Sequence, residues 1–248
     1  MDFLLPLLPT LPQALGLVAV GAVAGLIRGL TGFGAALVIV PGLSLFLDPT
    51  HAVAVNILAV GSTNIPLLAG ARREADYRTV GWFFAACVVA LPFGVHLLTV
   101  LPAQTLETAI GVSVILASLL LSRPRFRLAK AGPGLKLGAG ALSGLMNGAV
   151  GMGGPPVILL LLALPIPPVV TRASLILHFT LLNLLSLTAL VWNGLIDART
   201  MVLAGILIPP LLAMAWLGER WFRRSGGANF RPIAIGVLLV TGIAALLD

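Results

Sequence analysis

The chain has 248 residues, of which 59% are hydrophobic and only 9% are charged, and its formal net charge is +7. Soluble domains are nearer a quarter charged, so this composition excludes an ordinary soluble protein and indicates a multi-pass helical protein of the lipid bilayer. The basic residues lie in short loops between apolar runs, which membrane topology explains without a nucleic-acid partner, and the single cysteine excludes an intramolecular disulfide or a multi-cysteine cofactor site.

A glycine-rich string occurs twice in the chain. Residues 25–34 read GLIRGLTGFG and residues 144–153 read GLMNGAVGMG, so a shift of 119 positions superimposes five identical residues. Repetition at about half the chain length indicates two copies of one unit. We therefore predict a first transmembrane repeat over residues 1–121, a basic cytoplasmic linker over 122–134, and a second repeat over 135–248.

Each repeat contains four apolar segments, of which the first is interrupted by the glycine string. The predicted segments are 11–47, 52–70, 80–101 and 105–121, followed by 135–164, 171–192, 201–217 and 232–247. The halves on either side of each interruption are estimated at roughly 14 residues, or about 21 Å of helix, which is too short to span a hydrocarbon core of about 30 Å. The fold class is therefore all-α and polytopic, with two four-segment repeats whose first segment is broken or re-entrant.

The positions of the cations predict how the repeats are oriented. If all eight segments crossed the bilayer, the three basic clusters would be divided between its two sides, against the positive-inside rule. If the first segment of each repeat instead returns to the side it came from, 13 of the 15 Lys and Arg residues are cytoplasmic, all except Arg28 and Arg199. The repeats are then inverted relative to each other and both termini lie outside the inner membrane. Two short tilted spans in place of a re-entrant hairpin would place the loops on the same sides of the membrane.

The interruptions are candidate anion sites. Backbone that leaves helical geometry at membrane depth needs protein or a water-filled cavity around it, and the N-terminus of a broken helix attracts negative charge. In inverted repeats the two interruptions converge on one central point. The glycines that form them are predicted to line a substrate site: Gly32, Gly34, Gly151, Gly153 and Gly154.

Arg28 lies inside the first string, with no acidic residue in its segment before Asp48. An arginine within the membrane is costly and is a functional candidate by default, although it could instead bond loop carbonyls or reach the interface. Its counterpart in the second string, Asn147, is a weaker candidate for substrate contact. Asn64 and Asn183, at equivalent positions in the next segment, would either contact substrate or bond the helices together.

Three further side chains complete the candidates. Thr31 lies in the first string and is a weaker candidate for substrate contact. His178 and His96 fall within apolar segments and could carry protons, although a packed, hydrogen-bonded histidine is the alternative. Every Asp and Glu residue falls at an edge of an apolar segment or in a loop, which excludes a carboxylate proton relay.

The segments RGLTGFGAALVIVP (28–41) and NGAVGMGGPPVILL (147–160) resemble the sulfite exporter TauE/SafE family, also grouped as toluene-sulfonate uptake permeases, in the branch with Gly-Phe-Gly and Gly-Gly-Pro-Pro. The resemblance covers essentially the whole chain and implies a transporter of sulfite, sulfonates or related oxyanions. Phe33 departs from the family's commoner run of three glycines and would shape the cavity, which leaves the substrate open.

The leading hypothesis is a secondary transporter or facilitator of small anions that works by alternating access around one central site. A passive anion channel, a transporter of small carboxylates and a subunit of a larger complex are the alternatives. No enzyme is expected, because neither a helical His/Glu zinc motif nor a serine with a base at depth is recognisable. No cofactor is expected, and a homo-oligomer is left open.

Overall fold

A computed structural model describes residues 8–106, 108–109, 112 and 128–225, and these residues contain no strand. The predicted segment 232–247 and most of 105–121 lie outside them. The helices are α1 (Leu11–Thr31), α2 (Ala36–Ser44), α3 (Pro49–Ala71), α4 (Tyr77–Val100), α5 (Pro133–Val150), α6 (Gly154–Ala163), α7 (Pro168–Trp192) and α8 (Ala198–Ser225). Five of them, α1, α3, α4, α7 and α8, are long and apolar enough to cross a membrane. The prediction of an all-helical multi-pass membrane protein is confirmed.

Both glycine strings contain the end of a helix. Gly32 follows α1 with a φ of 80° and Gly151 follows α5 with a φ of 69°, which is the left-handed conformation that glycine adopts at little cost. The N–H of Gly32 donates to Arg28 O, and the N–H of Gly151 donates to Asn147 O. The chain therefore leaves the helix at the same place in each string.

After each break the chain turns back along the helix it has just left. Gly42 in α2 lies against Val20 of α1, and Gly16 near the start of α1 lies against Phe46 just beyond α2. In the second half, the N–H of Leu128, shortly before α5, donates to the carbonyl of Ala163 at the end of α6 over 2.9 Å. Each pair is thus an antiparallel hairpin with its open ends together.

The estimate of roughly 14 residues for each half-helix is wrong for the first member of both hairpins. Helix α1 has 21 residues and α5 has 18, whereas α2 has 9 and α6 has 10. At about 1.5 Å per residue α1 is about 31 Å long and could cross the bilayer alone, which α2 could not. The estimate failed because Gly21, Gly25 and Gly29 stay helical.

These upstream glycines allow close helix packing. A Cβ added at Gly21, Gly25 or Gly29 would lie less than 3.0 Å from a backbone carbonyl oxygen of α8, those of Leu207, Leu211 and Ala215. Gly140, Gly144 and Gly148 of α5 lie equally close to backbone atoms of α4, at Phe83, Cys87 and Leu91. The first helix of each half therefore packs in parallel on the α8 or α4 helix of the other half.

Equivalent aspartates begin α4 and α8. Asp76 accepts hydrogen bonds from the backbone and hydroxyl of Thr79, and Asp197 accepts the same pair from Thr200. A short acidic side chain at the N-cap satisfies N–H groups that have no partner within the helix. The match of these residues between the two halves of the sequence thus corresponds to a shared helix start.

We expect Asp197→Ala to lower the stability at neutral pH by about 1 kcal/mol, the usual cost of losing an N-cap. Hydrogen bonds from Thr200 lower the pKa of the Asp197 carboxyl from its ordinary value of 3.8 to about 2. Since the folded-state pKa is depressed, the contribution is present above pH 4 and is lost as the pH falls toward 2. Thermal unfolding in detergent at pH 7 and pH 3 measures this contribution, with Glu74→Ala as the control. A stability difference between the unaltered protein and Asp197→Ala that is the same at both pH values would contradict the prediction.

Candidate functional site

A pocket lies between the two helix breaks and against the middle of α3 and α7. Seven of the predicted substrate-site residues line it: Arg28, Gly34, Asn147, Gly151, Gly153, Gly154 and Asn183. Thr31, Gly32, Phe33 and Asn64 are not among the residues that line it. Residues from both glycine strings thus meet around one cavity.

The guanidinium of Arg28 is the charged group at this pocket. The side chain is only 2% exposed. Its Nε donates to Thr63 Oγ1 over 2.5 Å and its Nη2 donates to Asn64 Oδ1, both on α3. Both partners are neutral, and Nη1 makes no hydrogen bond within the described part of the chain. The arginine is therefore held in place by neutral groups that leave its charge uncompensated.

Backbone donors add to this positive character. The N–H groups of Gly34, Ala36 and Gly154 make no backbone hydrogen bond among the residues described, and all three residues line the pocket. They lie at the starts of α2 and α6, where the helix dipole is positive. Pro155 and Pro156 carry no N–H, so the second break offers fewer donors than the first.

Asn147 and Asn183 connect the helices around the pocket. Asn147 accepts from Gly153 N through Oδ1 and donates through Nδ2 to Ser186 Oγ on α7, so both ends of its amide are used. Asn183 donates to the carbonyl of Ile57 on α3 over 2.9 Å. Both residues therefore bond helices or the break, and both also line the cavity.

Asn56 is a pocket residue that the sequence did not single out. It lies on α3, is 2% exposed, and donates through Nδ2 to the carbonyl of Gly151 over 3.1 Å. A shift of 119 positions places Asn56 opposite Leu175, so the comparison of repeats could not reveal it. The signal that could have found it is a carboxamide in the middle of an apolar segment.

The remaining residues of the first string support the break. The hydroxyl of Thr31 lies 2.8 Å from the carbonyl of Ile27 and accepts from the N–H of Phe33. Phe33 is buried in the hydrophobic core, and Gly32 faces Arg172 and Ile176 on α7. These residues shape the turn from α1 into α2.

The two histidines lie outside the pocket lining. The Ser143 hydroxyl donates to the carbonyl of Gly153 over 2.5 Å, so the contact of 3.1 Å between His178 Nε2 and Ser143 Oγ is a bond that the histidine donates. His178 packs edge-on against Phe83 and Phe179, and His96 is exposed on α4. His178 is connected to the pocket through Ser143, whose hydroxyl bonds the pocket residue Gly153.

An ion cluster that the sequence did not predict lies beside the first break. Arg172 is buried and donates to the carbonyl of Gly29 over 2.8 Å and to Glu219, which also pairs with Arg223 at 2.8 Å. The sequence interpretation placed Glu219 at a segment edge, whereas it lies within α8 because that helix continues to Ser225. The acid neutralises Arg172, which leaves Arg28 as the uncompensated cation near the break.

A second pocket lies between α3 and α8. Its lining includes Thr63, which also holds Arg28, together with Glu219, Arg220 and Arg223. The contact between Arg28 and Thr63 therefore lies between the two cavities.

Comparisons with known proteins give one consistent result. The model of the family described as sulfite exporter TauE/SafE matches residues 17–245. The chain is 29% identical over 256 residues to a probable sulfite/organosulfonate exporter TauE of Cupriavidus necator, an alignment that covers 99% of this chain and 96% of the relative. No solved structure matches the chain.

Proposed function

Because the chain belongs to the sulfite exporter TauE/SafE family, we propose that it transports small sulfur-containing anions, such as sulfite or organosulfonates, around the pocket between its helix breaks. The family match confirms the resemblance carried by the two glycine motifs. The family is one of membrane transporters, in agreement with the five helices long and apolar enough to span a bilayer.

The observation that carries this proposal is the buried guanidinium of Arg28 at the pocket. An arginine at the centre of a membrane costs about 2.5–3.5 kcal/mol on insertion scales, and the described part of the chain supplies no acid to neutralise it. A bound anion would supply that charge. The free N–H groups of Gly34, Ala36 and Gly154 would complete its coordination.

We further propose that the two halves are inverted repeats whose first segments are re-entrant. The antiparallel return of α2 along α1, and of α6 toward the start of α5, supports a hairpin over two short spans. The first helix of each half packs on a helix of the other half, α1 on α8 and α5 on α4, which supports a twofold relation between the halves. This relation would place both helix breaks at one central site.

Contacts at the two ends of the bundle support an assignment of the membrane sides. His51 and Asp197 meet at one end, whereas Thr79 and Lys136 meet at the other, where Arg223 also reaches Gly70. Except for Arg28 and Arg199, the described Lys and Arg residues belong to this second end. From the positive-inside rule we infer that this end is cytoplasmic, which supports an outward position for the start of α1, whereas the predicted last segment and the C-terminus fall outside the described residues.

Alternating access is the mechanism we propose. The pocket lined by Arg220 and Arg223 lies toward the proposed cytoplasmic end, and the Arg28–Thr63 contact separates it from the central pocket. Rocking of one half against the other would open that contact and connect the two cavities. A substrate that attracts Arg28 away from Thr63 would favour this opening.

Reconstituted protein tests the function directly. Flux of sulfite, sulfoacetate, isethionate and thiosulfate into proteoliposomes should saturate and show counterflow, whereas oxalate and lactate should compete weakly. Empty liposomes and heat-denatured protein are the controls. Flux that rises linearly with concentration and shows no counterflow would identify a channel, and stronger transport of oxalate or lactate would overturn the substrate class.

A further inference from the structure

Two carboxamides, those of Asn56 and Asn183, belong to residues that line the central pocket. Asn56 donates through Nδ2 to the carbonyl of Gly151, and Asn183 donates through Nδ2 to the carbonyl of Ile57. A carbonyl oxygen only accepts hydrogen bonds, so the nitrogen end of each amide must face it. The backbone of the second break and of α3 therefore fixes the orientation of both amides.

The oxygen of Asn56 has no hydrogen-bond partner. Asn56 Oδ1 is buried and unpartnered among the residues that the structure describes. The oxygen of Asn183 likewise accepts no bond there, and it lies beside Gly61 on α3. Leaving a buried acceptor unsatisfied costs about 1–3 kcal/mol, so such a group at a cavity indicates that a ligand or water donates to it.

The pocket thus has two kinds of polar surface. Arg28 and the N–H groups of the breaks are donors suited to the oxygen atoms of an anion, whereas Asn56 and Asn183 offer acceptors. A fully deprotonated oxyanion supplies acceptors only and would leave Asn56 Oδ1 without a partner. None of the residues that line the pocket is acidic, so an ammonium group would find no counter-charge.

We propose that the site selects a monoanion that carries a neutral O–H donor a few bonds away from its charged end, as hydroxyalkanesulfonates do. The oxyanion end would bind Arg28, and the hydroxyl would donate to Asn56 Oδ1. This inference rests on the proposed function, because it assigns the substrate class of the same site. A site built to bond a hydroxyl discriminates strongly against an analogue without one, since its own polar group is then left unpaired.

Isethionate and propane-1-sulfonate test this inference, because they have the same charge and nearly the same size and differ in a terminal hydroxyl or methyl group. With the purified full-length protein in detergent, calorimetric titration should give isethionate an affinity about 10-fold to 100-fold higher, corresponding to one hydrogen bond that would otherwise be unmade. Taurine, which places an ammonium in that position, should bind more weakly than isethionate.

The variant Asn56→Leu removes the acceptor and installs the residue found at the equivalent position 175. We expect it to lose the preference for isethionate, so that the ratio of the affinities for the two sulfonates falls to about one. Asn193→Leu, at the exposed end of α7, is the matched control and should keep the preference.

Equal binding of the two sulfonates by the unaltered protein would overturn the inference without requiring any variant to fold. An equal loss of both ligands in Asn56→Leu would also overturn it, since Asn56 would then only hold the second break in place. If the unaltered protein binds no sulfonate and no sulfite, the proposed function itself fails.

Discussion

Arg28→Ala is expected to weaken anion binding by about 100-fold or more and to abolish saturable transport. The guanidinium is the uncompensated charge at the pocket, and removing one partner of a desolvated charge pair costs about 2–5 kcal/mol. A factor of 100 corresponds to about 2.7 kcal/mol, near the lower end of that range. Titration of sulfite and isethionate, together with counterflow in proteoliposomes, measures the loss.

The fold should survive this substitution. Thr63 also donates to the carbonyl of Val60, so its hydroxyl keeps a partner. Asn64 Oδ1 loses its donor at a cost of about 1–3 kcal/mol, and removing a charge from the membrane interior, worth about 2.5–3.5 kcal/mol, offsets that cost. The melting temperature without ligand should therefore stay the same or rise. A substrate-dependent increase in melting temperature, present in the unaltered protein, should disappear.

Arg28→Lys separates charge from geometry. Lysine keeps the positive charge, but bonding Thr63 and Asn64 would leave its ammonium one N–H group for a ligand, whereas the planar guanidinium keeps three. Binding should fall to an intermediate level, about 10-fold weaker than in the unaltered protein. Arg199→Ala, at the other end of the bundle, is the matched control and should bind normally.

Unchanged binding in Arg28→Ala would remove the arginine from the site and with it the main support for an anion substrate.

The sequence predicted where the pocket lies better than it predicted which residues line it. The two glycine strings and the lone arginine are local signals, since a helix end needs glycine and a cation within an apolar segment stands out in composition. Seven of the eleven predicted substrate-site residues accordingly line one cavity. The sequence could not predict where the side chains of Thr31 and Phe33 point, because this depends on how the chain turns between α1 and α2.

The contacts between distant helices were beyond the sequence. Arg172 and Glu219 are 47 positions apart, and their pairing depends on how far α8 continues past Leu217. Asn56 has an apolar counterpart at position 175, so comparison of the repeats concealed it. Symmetry made Asn64 a candidate either for substrate contact or for bonding helices, and in the structure it accepts the hydrogen bond that holds Arg28. These features depend on the register between helices, which the pattern of apolar residues leaves undefined.

Gly140→Ala is expected to lower the stability by about 1–3 kcal/mol, because overpacking at a buried position forces backbone to move. A Cβ at this position of α5 would lie less than 3.0 Å from the backbone of Phe83 on α4, and backbone cannot rotate away as a flexible side chain could. The carbonyl of Gly140 also accepts the thiol of Cys87, so separating the helices would break that bond. Thermal unfolding in detergent and the yield of folded protein measure the loss.

Gly138→Ala is the control, two residues away on the same helix. A Cβ there would meet nothing within 4 Å, so alanine should stabilise the helix by up to about 1 kcal/mol through its higher helix propensity. Opposite shifts from the same substitution would show that close approach of α4 and α5, and not helix propensity, determines the need for glycine at position 140. Shifts of the same sign and size would mean that the two helices do not pack through this glycine, and the parallel α4–α5 contact that orients the second helix break would be wrong.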